Sequence, residues 1–281
     1  KHPAHSCPIC QQTVSDDGLN VSGANTSGMR ITEDAATTNT TNVTGAKATS
    51  TSTDRYVEAL THSSQWDLED GEKLSYSFYL GDGVAPYDPN YGAVWPDFAS
   101  PLNAQQQTDM REVYALWDQA VPFEFEEIIE TGPDNVGELR VAYMTNPDAR
   151  DGAAAFAYIP NSGVTGGDAW YITDGVQDVN GGFSYNLDFT KDYGRYVALH
   201  EIGHSIGLSH PHDGSSRTGA TFGQYGIQDD TNTTVMSYNQ APSLAYYNDG
   251  GLVRFNSIYA STPMVYDVAA VEFLYGAITD T

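Results

Sequence analysis

Apolar and small polar residues alternate along residues 74–80, the period of a strand that buries one face. Four later runs, at residues 123–129, 138–144, 153–159 and 169–172, are rich in apolar and aromatic side chains and predict further strands. The pattern therefore predicts a sheet in the first two thirds of the chain.

Apolar residues recur at helical spacing after the pair Ser100-Pro101, which is typical of a helix start. These positions are Met110, Val113, Leu116, Trp117 and Ala120. Two more helices are predicted at residues 190–208 and 264–275. Strands that precede helices with irregular connections indicate an α+β domain with a mixed sheet.

Residues 13–53 are built from Thr, Ser, Asn, Gly, Ala and Asp, with very few apolar side chains. Such a segment buries too little apolar surface to offset its ordering entropy. We therefore expect residues 1–53 to form a flexible N-terminal leader, with a propeptide as one hypothesis. The globular domain is expected at residues 54–281 and begins with a short helix from Asp54.

The chain has 37 acidic and 12 basic residues and a formal net charge of -25. This charge argues against nucleic acid and anionic membranes as partners, because phosphate would be repelled. No apolar run of about 18 residues is present, so no transmembrane segment is expected. The acidity suits a calcium-rich exterior, although solvated acidic faces are its commoner cause.

The segment from His200 to His210 carries the strongest chemical signal in the sequence. On a helix, His200 and His204 project from one face about a turn apart, so two imidazoles can reach one Zn²⁺. Glu201 can reach a water at that metal without being a ligand. Gly207 lets the chain leave the helix sharply and bring His210 back as a third ligand. Three protein ligands leave one position open, which marks a catalytic site.

This segment resembles the His-Glu-x-x-His-x-x-Gly-x-x-His motif of the metzincin peptidases. Pro211 after the third His resembles the serralysin branch, where astacins have Glu and matrixins Ser. The resemblance implies a twisted, mixed, five-stranded sheet with a long active-site helix and a C-terminal helix. It also implies that Met236 supports the metal from a Met-turn, and that Tyr238 is a switchable ligand that stabilises the oxyanion.

Two further stretches resemble serralysins. Residues 153–158 resemble the edge strand that pairs with an extended substrate, and residues 263–276 resemble the helix that closes the catalytic domain. The substrate strand consists of Ala153, Ala154, Ala155, Phe156, Ala157 and Tyr158. The family's calcium-binding repeats normally follow this helix, and the sequence ends where they would begin. We interpret this ending as a cut chain, as the product of autolysis or as a family member without the repeats. Ca²⁺ is expected mainly in those repeats. Type I secretion would depend on a signal in the same missing part.

Two features depart from that pattern. The family usually has Gly then Asp after the Pro, whereas this chain has His212, Asp213 and Gly214; we expect His212 to be exposed rather than an outer-shell partner. Cys7 and Cys10 form a Cys-x-x-Cys pair near the N-terminus. The pair is interpreted as a local disulfide or a leader remnant, as latency ligands that fill the open zinc position, or as a separate metal clip with His2 or His5.

These observations predict a secreted, extracellular zinc endopeptidase that hydrolyses peptide bonds in protein or peptide substrates, with Glu201 as general base and a monomer favoured. One rival is a binding or adhesion module on an inert metzincin scaffold. A catalytic base retained beside the metal argues against that rival. The other rival is a different metzincin subfamily, against which Pro211 and the closing helix argue.

Overall fold

A computed structural model of the protein describes residues 45–68, 71–89, 91, 95–144, 154–172, 187–190, 192–241, 245–248, 251–254 and 259–278. The strands are β1 (Ala46–Ala48), β2 (Ser64–Trp66), β3 (Lys73–Phe78), β4 (Ala99–Ser100), β5 (Glu124–Glu127), β6 (Leu139–Met144), β7 (Ala155–Ala157), β8 (Ala169–Ile172), β9 (Ala245–Asn248) and β10 (Gly251–Arg254). The α-helices are α1 (Arg55–Leu60), α2 (Ala104–Asp118), α3 (Asp192–Ser205), α4 (Phe222–Tyr225) and α5 (Val265–Tyr275).

The central sheet has the strand order β5-β3-β6-β8-β7, and the two-residue β4 pairs with β6 beside this path. The first four strands of the path run parallel, and β7 pairs with β8 in the antiparallel direction. The predicted α+β class and five-strand mixed sheet are therefore confirmed, with β7 at one edge.

Both faces of this sheet are covered, which explains the nearly continuous apolar runs of its inner strands. In β6, Val141 and Tyr143 face the larger core shared with α2 and α3. The alternate residues Ala142 and Met144 face a smaller core of aromatic side chains on the other side. On that second side, Arg140 donates two hydrogen bonds to the buried Glu130, from Nε at 2.7 Å and from an Nη at 2.9 Å.

The α2 boundary differs from the prediction. The helix begins at Ala104, and Ser100 belongs to β4. Asn103 caps the helix by accepting from the Gln106 N–H, while the Gln106 side chain accepts from the Asn103 N–H. This reciprocal capping box satisfies two otherwise unpaired N–H groups and outweighs the Ser-Pro signal.

Part of the predicted leader is ordered against the domain. Strand β1 pairs antiparallel with β2, and the Asp67 N–H donates to the Gly45 carbonyl at 2.8 Å. Contacts to the domain therefore begin before residue 54, while the division into leader and domain stays a prediction. Among the described helices, none is long and apolar enough to cross a membrane.

Candidate metal centre

Helix α3 places His200 and His204 on one buried face. Both rings are almost completely buried, and their Nε2 atoms lie 3.1 Å apart. The helix packs against α2 and β7, where the Trp117 indole donates to the Leu199 carbonyl at 3.2 Å. The positions of the two imidazoles are thus fixed by the core as well as by the helix.

Gly207 makes the turn that returns the chain to the site. Its φ is 99°, in the left-handed region that glycine adopts without steric cost, and an added Cβ would lie 2.9 Å from the Ser64 carbonyl oxygen. The following residues then attach to the end of α1, because the Ser209 N–H donates to the Leu60 carbonyl at 2.8 Å. This attachment fixes the approach of His210.

The three Nε2 atoms converge on one point. The His210 Nε2 lies 3.1 Å from that of His200 and 2.9 Å from that of His204. Tetrahedral Zn²⁺ at 2.0–2.1 Å from each nitrogen needs separations of about 3.3 Å. Three imidazole nitrogens at these separations fit a shared metal ion, and imidazole nitrogen is a donor that Zn²⁺ prefers.

Each ring is oriented by an acceptor at its other nitrogen. The Nδ1 atoms of His200 and His204 lie 2.8 Å and 2.9 Å from the Val235 and Leu208 carbonyl oxygens. A protonated Nδ1 donates to such a carbonyl and leaves the Nε2 lone pair for a metal. Burial lowers the pKa of both rings well below the ordinary value, so both are neutral at pH 7.

His210 is oriented by a carboxylate instead. Its Nδ1 lies 2.7 Å from Asp213 Oδ2, and the Ser215 N–H donates to Oδ1 of the same residue at 2.8 Å. Burial alone would raise the pKa of Asp213, but these hydrogen bonds outweigh it and hold the pKa below its ordinary value. Asp213 is therefore an ionised partner behind the third ligand.

Met236 is fully buried beneath α3. A Cβ added at Gly203 would lie 2.6 Å from the Met236 sulfur, so the glycine makes the room that the thioether occupies. Met236 thus lies under the metal-binding helix, on the turn that also supplies the Val235 carbonyl to His200.

Helix α5 holds this turn in place through Asp267, which is fully buried. Its Oδ2 accepts from the Val235 N–H and the Met264 N–H, both at 2.8 Å, and its Oδ1 accepts from the Thr234 hydroxyl at 2.5 Å. Burial raises the pKa of Asp267 to about 6, although the three donors oppose this shift. A continuous chain of contacts runs from α5 through Val235 to His200.

Tyr238 and Glu201 complete the arrangement. The Tyr238 hydroxyl lies 2.9 Å from the His210 Nε2, so the phenol reaches the point where the three imidazoles meet. Glu201 follows His200 in α3, and its side chain is buried in the same region. The arrangement thus places a phenol hydroxyl where the three rings meet and a buried carboxylate directly after one of those rings in the helix.

His212 is exposed, as expected, although only 29% of its side chain is accessible because the ring also contacts the site. Its ring centroid lies 5.3 Å from that of His210, with an angle of 22° between the ring planes. The centroid lies 4.6 Å from that of Tyr238, with an angle of 53° between the planes. His212 therefore packs beside the site, because the ring of His210 offers it a flat face.

The predicted substrate strand lies at the edge of the sheet, next to α3. Strand β7 contains Ala155, Phe156 and Ala157, and Ala154 and Tyr158 continue the pairing with β8 through backbone hydrogen bonds of 2.9 Å. In the part of the chain that the structure describes, no strand pairs with the other side of β7. Ala153, Cys7 and Cys10 lie outside the described residues.

Sequence reasoning missed the residues that orient the ligands. Asp213 was seen only as part of a departure from the family pattern, and Asp267 carried no signal beyond its place in a predicted helix. Its proximity to the Met-turn is a contact between residues 32 positions apart, which no local pattern reveals.

Comparisons with known proteins agree with this geometry. Residues 98–235 match the family model described as matrixin, a metallopeptidase family. The chain is 34% identical over 190 residues to the Metallopeptidase AprA of Pseudomonas marginalis, covering 65% of this chain and 36% of that protein. It is 36% identical over 133 residues to Serralysin C of Dickeya chrysanthemi, covering 45% of this chain and 24% of that protein. The chain thus spans about a third or less of the length of these relatives.

Proposed function

We propose that the chain carries a serralysin-type metzincin catalytic domain and is a secreted zinc endopeptidase that hydrolyses peptide bonds in protein substrates. The observation that carries the proposal is the convergence of three buried Nε2 atoms within 3.1 Å of one another, beside Glu201 and Tyr238. Zn²⁺ held by His200, His204 and His210 would polarise the scissile carbonyl and lower the pKa of a water to about 7.

Glu201 acts as the general base in this proposal. It accepts a proton from the attacking water and passes it to the leaving amine, so both proton transfers use one carboxylate. Its place in α3, directly after a ligand and inside a buried region, keeps bulk water from competing for the proton.

Tyr238 supplies the oxyanion donor. Its hydroxyl, 2.9 Å from the His210 Nε2, is close enough to the centre to donate to a carbonyl oxygen that gains negative charge. The three imidazoles are fixed by their Nδ1 acceptors, which leaves their Nε2 atoms for the metal rather than for proton transfer.

Substrate binds as an extended strand along β7. This strand ends the path of the central sheet, and the small side chains of Ala155 and Ala157 allow close approach of a peptide backbone. Because recognition then uses the peptide backbone, the expected substrates are unfolded or loop segments of proteins. Secretion is proposed because the resemblance is to serralysins, and Ca²⁺ is proposed as a further cofactor on the same ground.

The test is zinc content and casein hydrolysis in the wild-type protein, in Glu201→Ala and in Glu112→Ala, each with and without a chelator. Glu112 lies on α2 with 58% of its side chain exposed, so it is a matched control outside the site. We expect one zinc per chain in all three, and a loss of at least about 100-fold in turnover only in Glu201→Ala.

The rival interpretation is a binding module on the same scaffold. It predicts one zinc per chain with no cleavage by any of the three proteins. Casein cleavage by Glu201→Ala at the wild-type rate would instead refute the role of this residue.

A further inference from the structure

His212 occupies the position where the resembled family usually has glycine, and its imidazole fills space beside the metal centre. The ring lies 5.3 Å from the ring of His210 and nearly parallel to it. The His212 ring centroid also lies 4.6 Å from that of Tyr238. One side chain thus touches both a metal ligand and the residue assigned to the oxyanion.

Tyr238 is surrounded by three imidazoles. Its ring lies 5.5 Å from that of His200, 4.6 Å from that of His210 and 4.6 Å from that of His212. The first two rings face the metal position through their Nε2 atoms. The His212 ring adds a third ring contact with the phenol, at an interplanar angle of 53°.

The position of His212 is itself supported. Its Nδ1 lies 3.9 Å from Asp229 Oδ2, and the same oxygen accepts from the Asn239 side chain at 3.0 Å. Asn239 follows Tyr238 in the chain, and its carbonyl accepts from the Thr231 N–H at 2.9 Å. The backbone beside Tyr238 and the support of His212 therefore belong to one connected group.

From these contacts we propose that His212 is a positioning residue that holds the Tyr238 phenol at the metal centre. The inference rests on the proposed function in assigning Tyr238 to the centre. In a chain with glycine at this position the phenol would lack this neighbour. Here an aromatic contact stabilises the position in which the hydroxyl lies 2.9 Å from the His210 Nε2.

The direct test uses Cu²⁺, which imidazole ligands bind well, in place of Zn²⁺. A tyrosine that coordinates Cu²⁺ gives a charge-transfer absorption in the visible range, and Tyr238→Phe provides the baseline without it. Losing an aromatic pair should shift the balance between coordinated and released tyrosine about 2- to 12-fold toward release. We therefore expect His212→Ala to weaken the band and His212→Phe, which keeps a ring against the phenol, to retain it.

Kinetics separate positioning from a general structural role. We expect His212→Ala to change the kcat and KM of casein-derived peptides in the wild-type background and to leave them unchanged in the Tyr238→Phe background. A role in stability alone would lower activity equally in both backgrounds and would overturn the proposal. An undiminished band in His212→Ala would overturn it as well.

If His212→Ala fails to fold, as judged by circular dichroism, His212→Gln decides, because it has similar length without a ring and should weaken the band in the same way. The band does not require turnover. If the band weakens in the His212 variants as expected but the wild-type protein cleaves no peptide, the endopeptidase activity is refuted and the positioning role stands.

Discussion

Replacing Asp267 tests whether helix α5 fixes the metal centre through the turn beneath it. The carboxylate is fully buried and accepts from two backbone N–H groups, those of Val235 and Met264, as well as from the Thr234 hydroxyl. The Val235 carbonyl in turn lies 2.8 Å from His200 Nδ1. Any shift of this turn is passed directly to a metal ligand.

The loss in free energy of unfolding follows from the groups that the replacement of Asp267 leaves without partners. Asp267→Ala removes both acceptors, and two buried N–H groups at about 1–3 kcal/mol each give a loss of about 2–6 kcal/mol. Such a loss is a large part of the 5–15 kcal/mol typical of a domain. Asp267→Asn keeps one oxygen and places an amide N–H₂ against a donor, so its expected cost is about 1–3 kcal/mol.

Asp267 also makes the stability of the fold depend on pH. Burial raises the pKa of Asp267 to about 6, above its value of about 4 in the unfolded chain, so the folded protein holds this proton more tightly. Tighter proton binding by Asp267 adds about 3 kcal/mol to the free energy of unfolding. This stabilisation is fully present below pH 4 and is lost as the pH rises through 6. Asp267→Asn cannot titrate, so the stability gap between wild type and variant should widen as the pH falls from 6 to 4.

The assay is urea unfolding of the metal-free proteins at several pH values, together with zinc affinity at pH 7. Asp118→Asn is the matched control, since Asp118 accepts one N–H, from Phe125 at 2.8 Å, away from the metal centre. We expect Asp267→Asn to weaken zinc binding by about 10-fold or more, because it disturbs the acceptor behind a ligand, and Asp118→Asn to leave zinc binding unchanged. Equal unfolding midpoints and equal zinc affinities for the two variants would refute the reasoning.

Two further predictions concern the turn after α3 and the N-terminal cysteines. Gly207→Ala places a Cβ at positive φ and 2.9 Å from the Ser64 carbonyl, so it should cost more than about 1 kcal/mol in urea unfolding, whereas Gly219→Ala, at φ 75° with open space around it, should cost only the backbone strain. Equal costs would show that the contact with Ser64 does not matter. The latency hypothesis predicts that Cys7→Ser combined with Cys10→Ser raises casein hydrolysis by the full chain; unchanged activity would contradict it and leave the disulfide, remnant and metal-clip interpretations.

Local chemistry explains what the sequence could predict. The spacing of His200, His204 and His210 places three ligands within one helix and one turn. Gly207, which makes that turn, has the positive φ that the turn requires. Alternation located β3, and runs rich in apolar and aromatic side chains located β5, β6, β7 and β8, because strands covered on both faces of a sheet are apolar at nearly every position. The start of α2 was misplaced because Ser100-Pro101 and the Asn103 capping box are both start signals, and only the reciprocal bonds of the second are formed.

The remaining parts depend on contacts between distant segments. Strand β1 has only three residues and lies in a stretch with almost no apolar side chains, so its pairing with β2 leaves no periodic trace. Asp267 is indistinguishable in sequence from an ordinary acidic residue in the first turn of a helix, where a carboxylate is favourable for the helix itself. Its contacts with the Met-turn become visible only when α5 has been placed.

The three ligands differ in what holds them, and this difference determines how each should respond to change. His204 is oriented by the Leu208 carbonyl from its own turn, so its geometry is nearly independent of the rest of the fold. His210 depends on Asp213, three residues along. His200 depends on a turn that is held by a helix near the end of the described chain. Loosening of α5 should therefore release His200 first, and metal affinity should fall before the active-site helix unfolds.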